Sequence, residues 1–437
     1  MVTRYISDKL IKGLRIYPTG YYIYFRLNGK RREMKLSSKD VSINIVRKKA
    51  RQILEKVVMG IDPFEEKKNL TLLSNLPLNI KTIKELCLIP GLSGYEDNVR
   101  KYLENKLTES KLKYHSDVLG NLICTLSGKK NLPSIMLFAH MDQIGFIVKK
   151  IENNGFLRVE RLGGVPEKAL ASQEVTIQSE DGKYFNGIIG NKSHHATPIE
   201  DKYKVVNYRD IYIDLGFTNK EQVIQNKINI GSPVTYTPYF NLIGRNSLIG
   251  TSIDDRAGCA VILEVANKLK KITNRPTVHI VFSVQEEFNL RGVLPVAQQL
   301  KPDIAIQIDL MLSSDTPDME KQGNVSLGNG PCMSMYSFHG RGTLNGLIPH
   351  PKLVNLFNEI AKKNNINLQK SATVGVLTDS SYVQLVGKGV ATIDMGFPIR
   401  YSHSSREVCD IRDLINLEKL LFKAIINLNK NYSLDRD

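Results

Sequence analysis

The sequence predicts an α/β protein with a small β domain inserted into it and a short basic module ahead of it. Three observations carry this expectation. From Thr82 onward, short apolar strands alternate with helical segments. Over residues 144–247 that rhythm gives way to short alternating strands with frequent Gly and Asn turns, and it resumes at Gly250. The first 70 residues differ again: they hold 17 Lys and Arg against 7 Asp and Glu, whereas the rest of the 437-residue chain carries 43 against 37. Domain boundaries are expected at 1–68, 78–143 with 248–432, and 144–247 for the insertion.

In the basic module, Tyr21–Leu27 and Lys30–Leu36 are rich in strand formers and flank Asn28-Gly29, the pair favoured in a two-residue hairpin turn. Val46, Ala50, Ile53, Leu54 and Val57 then recur at helical spacing, with Gly60 as a stop. A hairpin plus a helix is therefore expected. Beyond Thr82 the reading is helix 83–87, a Pro90-Gly91 turn, helix 96–108, and strands at 121–126 and 134–139. Strands such as Phe156–Glu160 and Tyr184–Ile189 fill the insertion. Helix 256–271, strand 278–284, helix 291–299, strand 304–308, helix 352–364, strand 390–395 and helix 411–430 complete the chain.

Composition narrows the class. Hydrophobic content of 42% and charged content of 24% are ordinary for a soluble globular protein. No apolar run has the length of a membrane span, and the N-terminus lacks an apolar h-region. Five scattered cysteines without CxxC spacing fit a reducing cytoplasm rather than a disulfide framework or a thiolate metal site.

The chemistry gathers at strand and helix ends. The run Val281–Gln285 closes in Glu286-Glu287, and buried carboxylates are costly unless a cation or a proton-transfer role compensates them. Strand Ile135–Ala139 ends in His140-Met141-Asp142, in which the carboxylate can orient a metal-binding imidazole. Alone, that His reads better as a satisfied core residue. Asp254-Asp255-Arg256 opens a helix, where one aspartate could simply be a cap. Asp309 closes another apolar strand, and His403 lies in Arg400-Tyr401-Ser402-His403-Ser404. Two histidines and several carboxylates at strand ends form the ligand chemistry of a two-metal hydrolase.

These blocks resemble a known family. Ala139–Phe146, Asp254-Asp255-Arg256, Val284–Glu287, Asp309 with Asp315-Thr316-Pro317, and Arg400–Ser404 look like the dinuclear metallo-aminopeptidases that include glutamyl aminopeptidase, FrvX-like proteins and the tetrahedral-shell (TET) peptidases. The order matches, and the resemblance spans about residues 80–430. It implies a mixed-sheet α/β/α metallopeptidase domain with a barrel-like insertion that pairs subunits. It also implies two divalent ions per subunit (zinc, cobalt or manganese). His140 and Glu287 would hold one ion with bridging Asp254; Asp309 and His403 would complete the pair, one on each ion. Glu286 would be the general base and Asp142 the partner of His140. The implied substrates are short peptides, and the implied assembly is a homo-oligomer from dimer to dodecamer.

Two positions depart from the family pattern: Gln143 replaces a common Glu, and Asn289 a common Gly. His194 and His195, in the insertion, read as structural or interface residues. Pro18–Gly20, the Arg26–Arg32 turn, Ala50-Arg51 and Gly60–Phe64 resemble the arm DNA-binding domain of phage-type tyrosine recombinases, which implies a weak DNA contact through residues 1–68. The recombinase catalytic set does not follow. Two other readings fit the sequence: an amidohydrolase or deacylase on the same dinuclear site, and a DNA-binding fusion with an idle hydrolase domain.

Overall fold

The computed structural model describes residues 6–7, 10–27, 30–38, 40–58, 78, 80–340, 344–376, 378–428 and 432–436. They fall into two compact units, Met1–Pro77 and Leu78–Asp437.

In the first unit, β1 (Ile6–Ser7), β2 (Leu14–Tyr17), β3 (Gly20–Leu27) and β4 (Lys30–Ser37) form an antiparallel sheet in sequence order. Helix α1 (Ile43–Val58) covers one face. Leu14, Ile23, Phe25, Met34 and Leu36 meet Val46 and Ala50 in its core. The module is thus a four-stranded sheet rather than the hairpin expected. The pairing of β3 with β4 continues to Leu27 and Lys30; the turn residues Asn28 and Gly29, and the expected stop at Gly60 with residues 61–68, lie outside the described residues. Because side chains alternate along a strand, Tyr22 and Tyr24 occupy the face opposite Ile23. There the Tyr17 and Tyr24 hydroxyls lie 2.8 Å apart, Arg15 stacks 4.2 Å above the Tyr24 ring, and Lys35 lies 5.8 Å from the Tyr22 ring.

The second unit begins with α2 (Ile80–Cys87) and α3 (Asp97–Glu109), followed by β5 (His115–Ser116), β6 (Leu122–Leu126) and β7 (Ile135–His140). The chain then leaves for a closed six-stranded barrel built from β8 (Gly145–Ile151), β9 (Leu157–Leu162), β10 (Glu174–Gln178), β11 (Tyr184–Ile189), β12 (Ile213–Asp214) and β13 (Pro233–Tyr236). Helix α4 (Lys220–Gln225) sits between the last two strands. The barrel has its own core, including Phe146, Val159, Val175, Ile213 and Val234. Within the span expected to be insertion, β14 (Phe240–Ile243) instead pairs with β15 (Ser247–Gly250) and extends the large sheet.

Helix α5 (Ile253–Leu269) follows, then β16 (Val278–Ser283), α6 (Val293–Leu300), β17 (Ile304–Leu312), β18 (Cys332–Phe338), β19 (Gly346–Leu347), α7 (Pro351–Lys363), β20 (Gln369–Val374), α8 (Ser380–Val383), β21 (Ala391–Arg400), β22 (Glu407–Asp410) and α9 (Ile411–Asn427). The large sheet runs β14-β15-β22-β21-β17-β7-β16-β6-β5, with β18, β19 and β20 attached at β21. Strands β16, β7, β17 and β21 are parallel, and their near-continuous apolar sequences match burial on both faces. On one face α6 and α8 pack through Val293, Val296 and Val383 onto Met136, Phe138 and Val281. Parallel register decides where function can sit. His140 lies level with Ser283, and Phe138 level with Gln307. The carboxyl ends of three strands therefore place His140, Glu286 and Asp309 at one sheet edge, where ligand sites of α/β sheets form.

Candidate metal centre

The site is built from turns that leave those strands. His140 Nε2 lies 3.1 Å from Asp254 Oδ1. Its Nδ1 lies 3.2 Å from the Asp142 carbonyl oxygen and 3.4 Å from Asp142 Oδ1. An imidazole held from behind presents its other nitrogen to the cavity. Asp142 is fully buried. It accepts the Ser93 hydroxyl at 2.6 Å and the backbone N–H groups of Glu286 and Glu287, each at 3.0 Å. One carboxylate thus sets both the His140 ring and the turn carrying the two glutamates.

His403 approaches from the opposite side. Its Nε2 is 3.4 Å from Asp254 Oδ2 and 3.5 Å from Glu287 Oε1. Its Nδ1 is 2.9 Å from the carbonyl of Gly164, in the loop after β9 of the barrel. Glu407, which the sequence reading missed, accepts the backbone N–H of Asp254 at 3.1 Å and that of His403 at 2.8 Å. A carboxylate four residues after His403, beside the apolar pair Val408-Cys409, was the available clue. Asp309 receives Gln307 Nε2 at 3.0 Å on one oxygen and its neighbour's Leu310 N–H at 2.6 Å on the other. Gln307 is in turn fixed by the Ser380 N–H at 2.7 Å.

Ligand atoms of His140, Asp254 and Asp309 all lie within 4.8 Å of one another, and so do those of Asp254, Glu287 and His403. The two groups share Asp254. By proximity His140 groups with Asp309, and Glu287 with His403, whereas the resemblance implied His140 with Glu287. Glu286 belongs to neither group. Asp255 turns away from the cavity, accepting the Gly258 N–H at 3.0 Å while its other oxygen has no hydrogen-bond partner among the described residues.

A cavity of about 590 Å³ opens over this edge, lined by both histidines, Asp254, Glu286, Glu287 and Asp309 together with Phe288, Leu310 and Leu312. Burial pushes the Glu286 and Asp309 carboxyls well above the usual range and Glu287 up to about 7; the nearby carboxylates push the same way. Burial also opposes ionisation of Asp254, but hydrogen bonds from His140 and His403 outweigh it and hold that carboxyl below the usual range. Four carboxylates and two imidazoles around one buried space are a donor set suited to two divalent cations. Backbone strain concentrates in the same turns. Ser252, Gln285, Asn289, Tyr401 and His403 all have positive φ, between 56° and 70°, a conformation that non-glycine residues keep only where the surroundings enforce it.

Residues 120–420 match the M42 glutamyl aminopeptidase family. This chain belongs to that family. Accordingly it is a metal-dependent aminopeptidase, a hydrolase. The SgcX protein of Escherichia coli (strain K12) is 35% identical over 78% of this chain and 91% of its own length. The aminopeptidase APDkam598 from the archaeon Desulfurococcus kamchatkensis has a similar structure, with a TM-score of 0.74 and 33% identity over 84% of this chain and 96% of its own. The TET1 peptidase of Pyrococcus horikoshii, which can assemble into a tetrahedron or a large octahedral shell, gives a TM-score of 0.70 and 29% identity over 80% and 99%.

The two departures from the M42 pattern have structural accounts. Gln143 is buried, and its Oε1 accepts the Gly91 N–H at 3.1 Å and Arg256 Nη2 at 3.3 Å, tying the Pro90-Gly91 turn to α5. Asn289 has φ 70°, a conformation in which Asn is the least strained substitute for Gly. His194 and His195 form an exposed turn in the barrel, their rings 5.9 Å apart, and do not line the cavity.

Proposed function

We propose that this chain removes N-terminal residues from short peptides with two divalent cations. The observation that carries the reading is the pair of ligand groups sharing Asp254, with Glu286 beside them but in neither. His140 and Asp309 would hold one cation, Glu287 and His403 the other, with Asp254 bridging; zinc, cobalt and manganese all suit these nitrogen and oxygen donors. When bound, such cations act as Lewis acids that polarise a carbonyl and acidify water. Glu286 is the general base: it takes a proton from the attacking water and delivers it to the leaving amine. Burial supports this, since it raises the basicity of the carboxylate toward the working range. The acidic wall of the cavity attracts a free α-ammonium, which confines attack to the first residue.

The barrel is the proposed surface for pairing subunits into a homo-oligomer, dimer to dodecamer. Its loop between β11 and β12 exposes Ile199, Tyr203 and Val206, an apolar surface suited to burial against a second copy. Five buried free cysteines support a cytoplasmic location. No helix among the described residues is long and apolar enough to cross a membrane.

A second activity is favoured by one observation. The face of the N-terminal sheet opposite α1 interleaves Tyr17, Tyr22 and Tyr24 with Arg15, Arg31 and Lys35, a combination suited to weak, salt-dependent DNA contact like that of recombinase arm domains.

Hydrolysis of aminoacyl anilides tests the first reading. The full chain should cleave them, lose activity to a chelator, and regain it with zinc, cobalt or manganese. Cleavage of N-acetylated substrates only would transfer the site to the amidohydrolase class.

A further inference from the structure

The catalytic cavity occupies the carboxyl edge of the parallel strands. A separate cavity of about 670 Å³ opens at their amino edge, a volume typical of small-molecule sites. Strand register builds it. Ile304 pairs with Ala391 where β17 and β21 begin, so Lys301 and Lys388, each three residues earlier, enter on neighbouring strands. His350 joins them through its backbone N–H, which donates to the Thr392 carbonyl at 2.9 Å. Arg436, beyond α9, completes the basic wall.

The charge of this wall is uncompensated. Lys301, Lys388 and Arg436 are exposed, and among the described residues none of them forms an ion pair. Asp303, the lining's one carboxylate, is turned to Ser134: its Oδ2 accepts the Ser134 N–H and hydroxyl, each at 2.8 Å. Burial, and then the charges of Arg436 and Lys352, hold the His350 ring below its usual range, so the imidazole stays uncharged at neutral pH. Gly387 and Gly389 flank Lys388 with φ of 61° and 96°. A Cβ at Gly387 would meet nothing within 4 Å, so bare main chain borders the space. Pro302, Val386, Val390 and Leu434 supply apolar wall. A single exposed lysine needs only water. Three cations around one concave space repel one another, a cost that a bound anion removes.

We propose that this cavity is an anion site, distinct from the metal centre, that takes a phosphate-bearing small molecule. Three cations against one carboxylate leave a surplus of two charges, which matches a phosphate dianion better than a single carboxylate. The Arg436 fork suits two phosphate oxygens at once, while the lysines act as point charges. The apolar wall suits the carbon body of a phosphate ester.

Calorimetric titration of the zinc-reconstituted full chain tests this, with inorganic phosphate, glycerol phosphate and acetate as probes at fixed ionic strength. Saturable phosphate binding is expected, with acetate at least about tenfold weaker. Lys388→Ala and Arg436→Ala should each weaken phosphate by about tenfold or more. Anilide hydrolysis should stay within about twofold in both variants, since neither residue borders the catalytic cavity. Phosphate held by the metal centre or by the basic N-terminal unit would not respond to these substitutions. Equal affinity in the wild type and both variants therefore overturns the proposal, as does acetate that binds as tightly as phosphate, or no saturable binding of either phosphate. Tighter glycerol phosphate than inorganic phosphate upholds the site with an ester as its ligand; the reverse order upholds it with free phosphate.

Discussion

Asp142 and Glu407 are mirror-image clamps. Each is buried, and each carboxylate ties together backbone N–H groups of residues that line the candidate metal centre: Glu286 and Glu287 on one side, Asp254 and His403 on the other. Glu407→Gln exchanges one acceptor oxygen for a donor and leaves a buried N–H facing it. The expected result is a loss of about 1–3 kcal/mol in thermal unfolding and roughly 10- to 100-fold weaker metal retention, read by equilibrium dialysis. The two adjacent glutamates separate more sharply. Glu286→Gln should retain full metal content and lose about 100- to 10,000-fold in turnover, whereas Glu287→Gln should lose metal. Equal metal loss in both variants would refute the division of roles. The gathering of His140, Asp254, Glu286, Glu287, Asp309 and His403 around one cavity was legible in the sequence from the cost of polar groups beside apolar segments together with the family resemblance of their blocks. Which of them group together was not. Strand β7 is flanked by both β16 and β17, so neighbourhood alone permits either pairing. The turn after Ser283, which carries Glu287 toward His403, settles the grouping only in three dimensions.

Among the elements, the barrel contributes more than a surface. Its loop at Gly164 supplies the carbonyl that fixes the His403 ring. A Cβ at Gly164 would stand 2.8 Å from His403 Nδ1, so Gly164→Ala must displace the ring. Metal stoichiometry should drop while the far-UV spectrum stays unchanged; undiminished metal content would show that the contact is dispensable. Gly163→Ala makes a less informative comparison, because its φ of 85° adds backbone strain of its own. The alternation of strand and helix in the catalytic unit was legible from apolar periodicity, and so was a β insertion. Its far boundary was not, because Phe240–Ile243 has the same short, turn-flanked character as barrel strands, and only its pairing with β15 assigns it to the large sheet. In the N-terminal module, β1 and β2 escaped notice because two- and four-residue strands carry too little alternation to register.

At the scale of the molecule, the charge is concentrated in the first of two units. Removing residues 1–77 should leave anilide hydrolysis within about twofold, since every candidate ligand and both clamps lie beyond Leu78. The same deletion should abolish any gel shift that the full chain produces at low salt; a shift that survives it, or one insensitive to salt, would remove the DNA reading. The Gly164 contact has one more consequence. If copies of the chain associate through the barrel, then assembly and metal uptake draw on one domain, through its β11–β12 loop and its Gly164 loop, and where the two are coupled thermodynamic reciprocity makes each the effector of the other. Diluting the protein until it dissociates should then loosen the metal on the His403 side by the same factor by which stripping that metal weakens association. The enzyme would in effect titrate its own concentration.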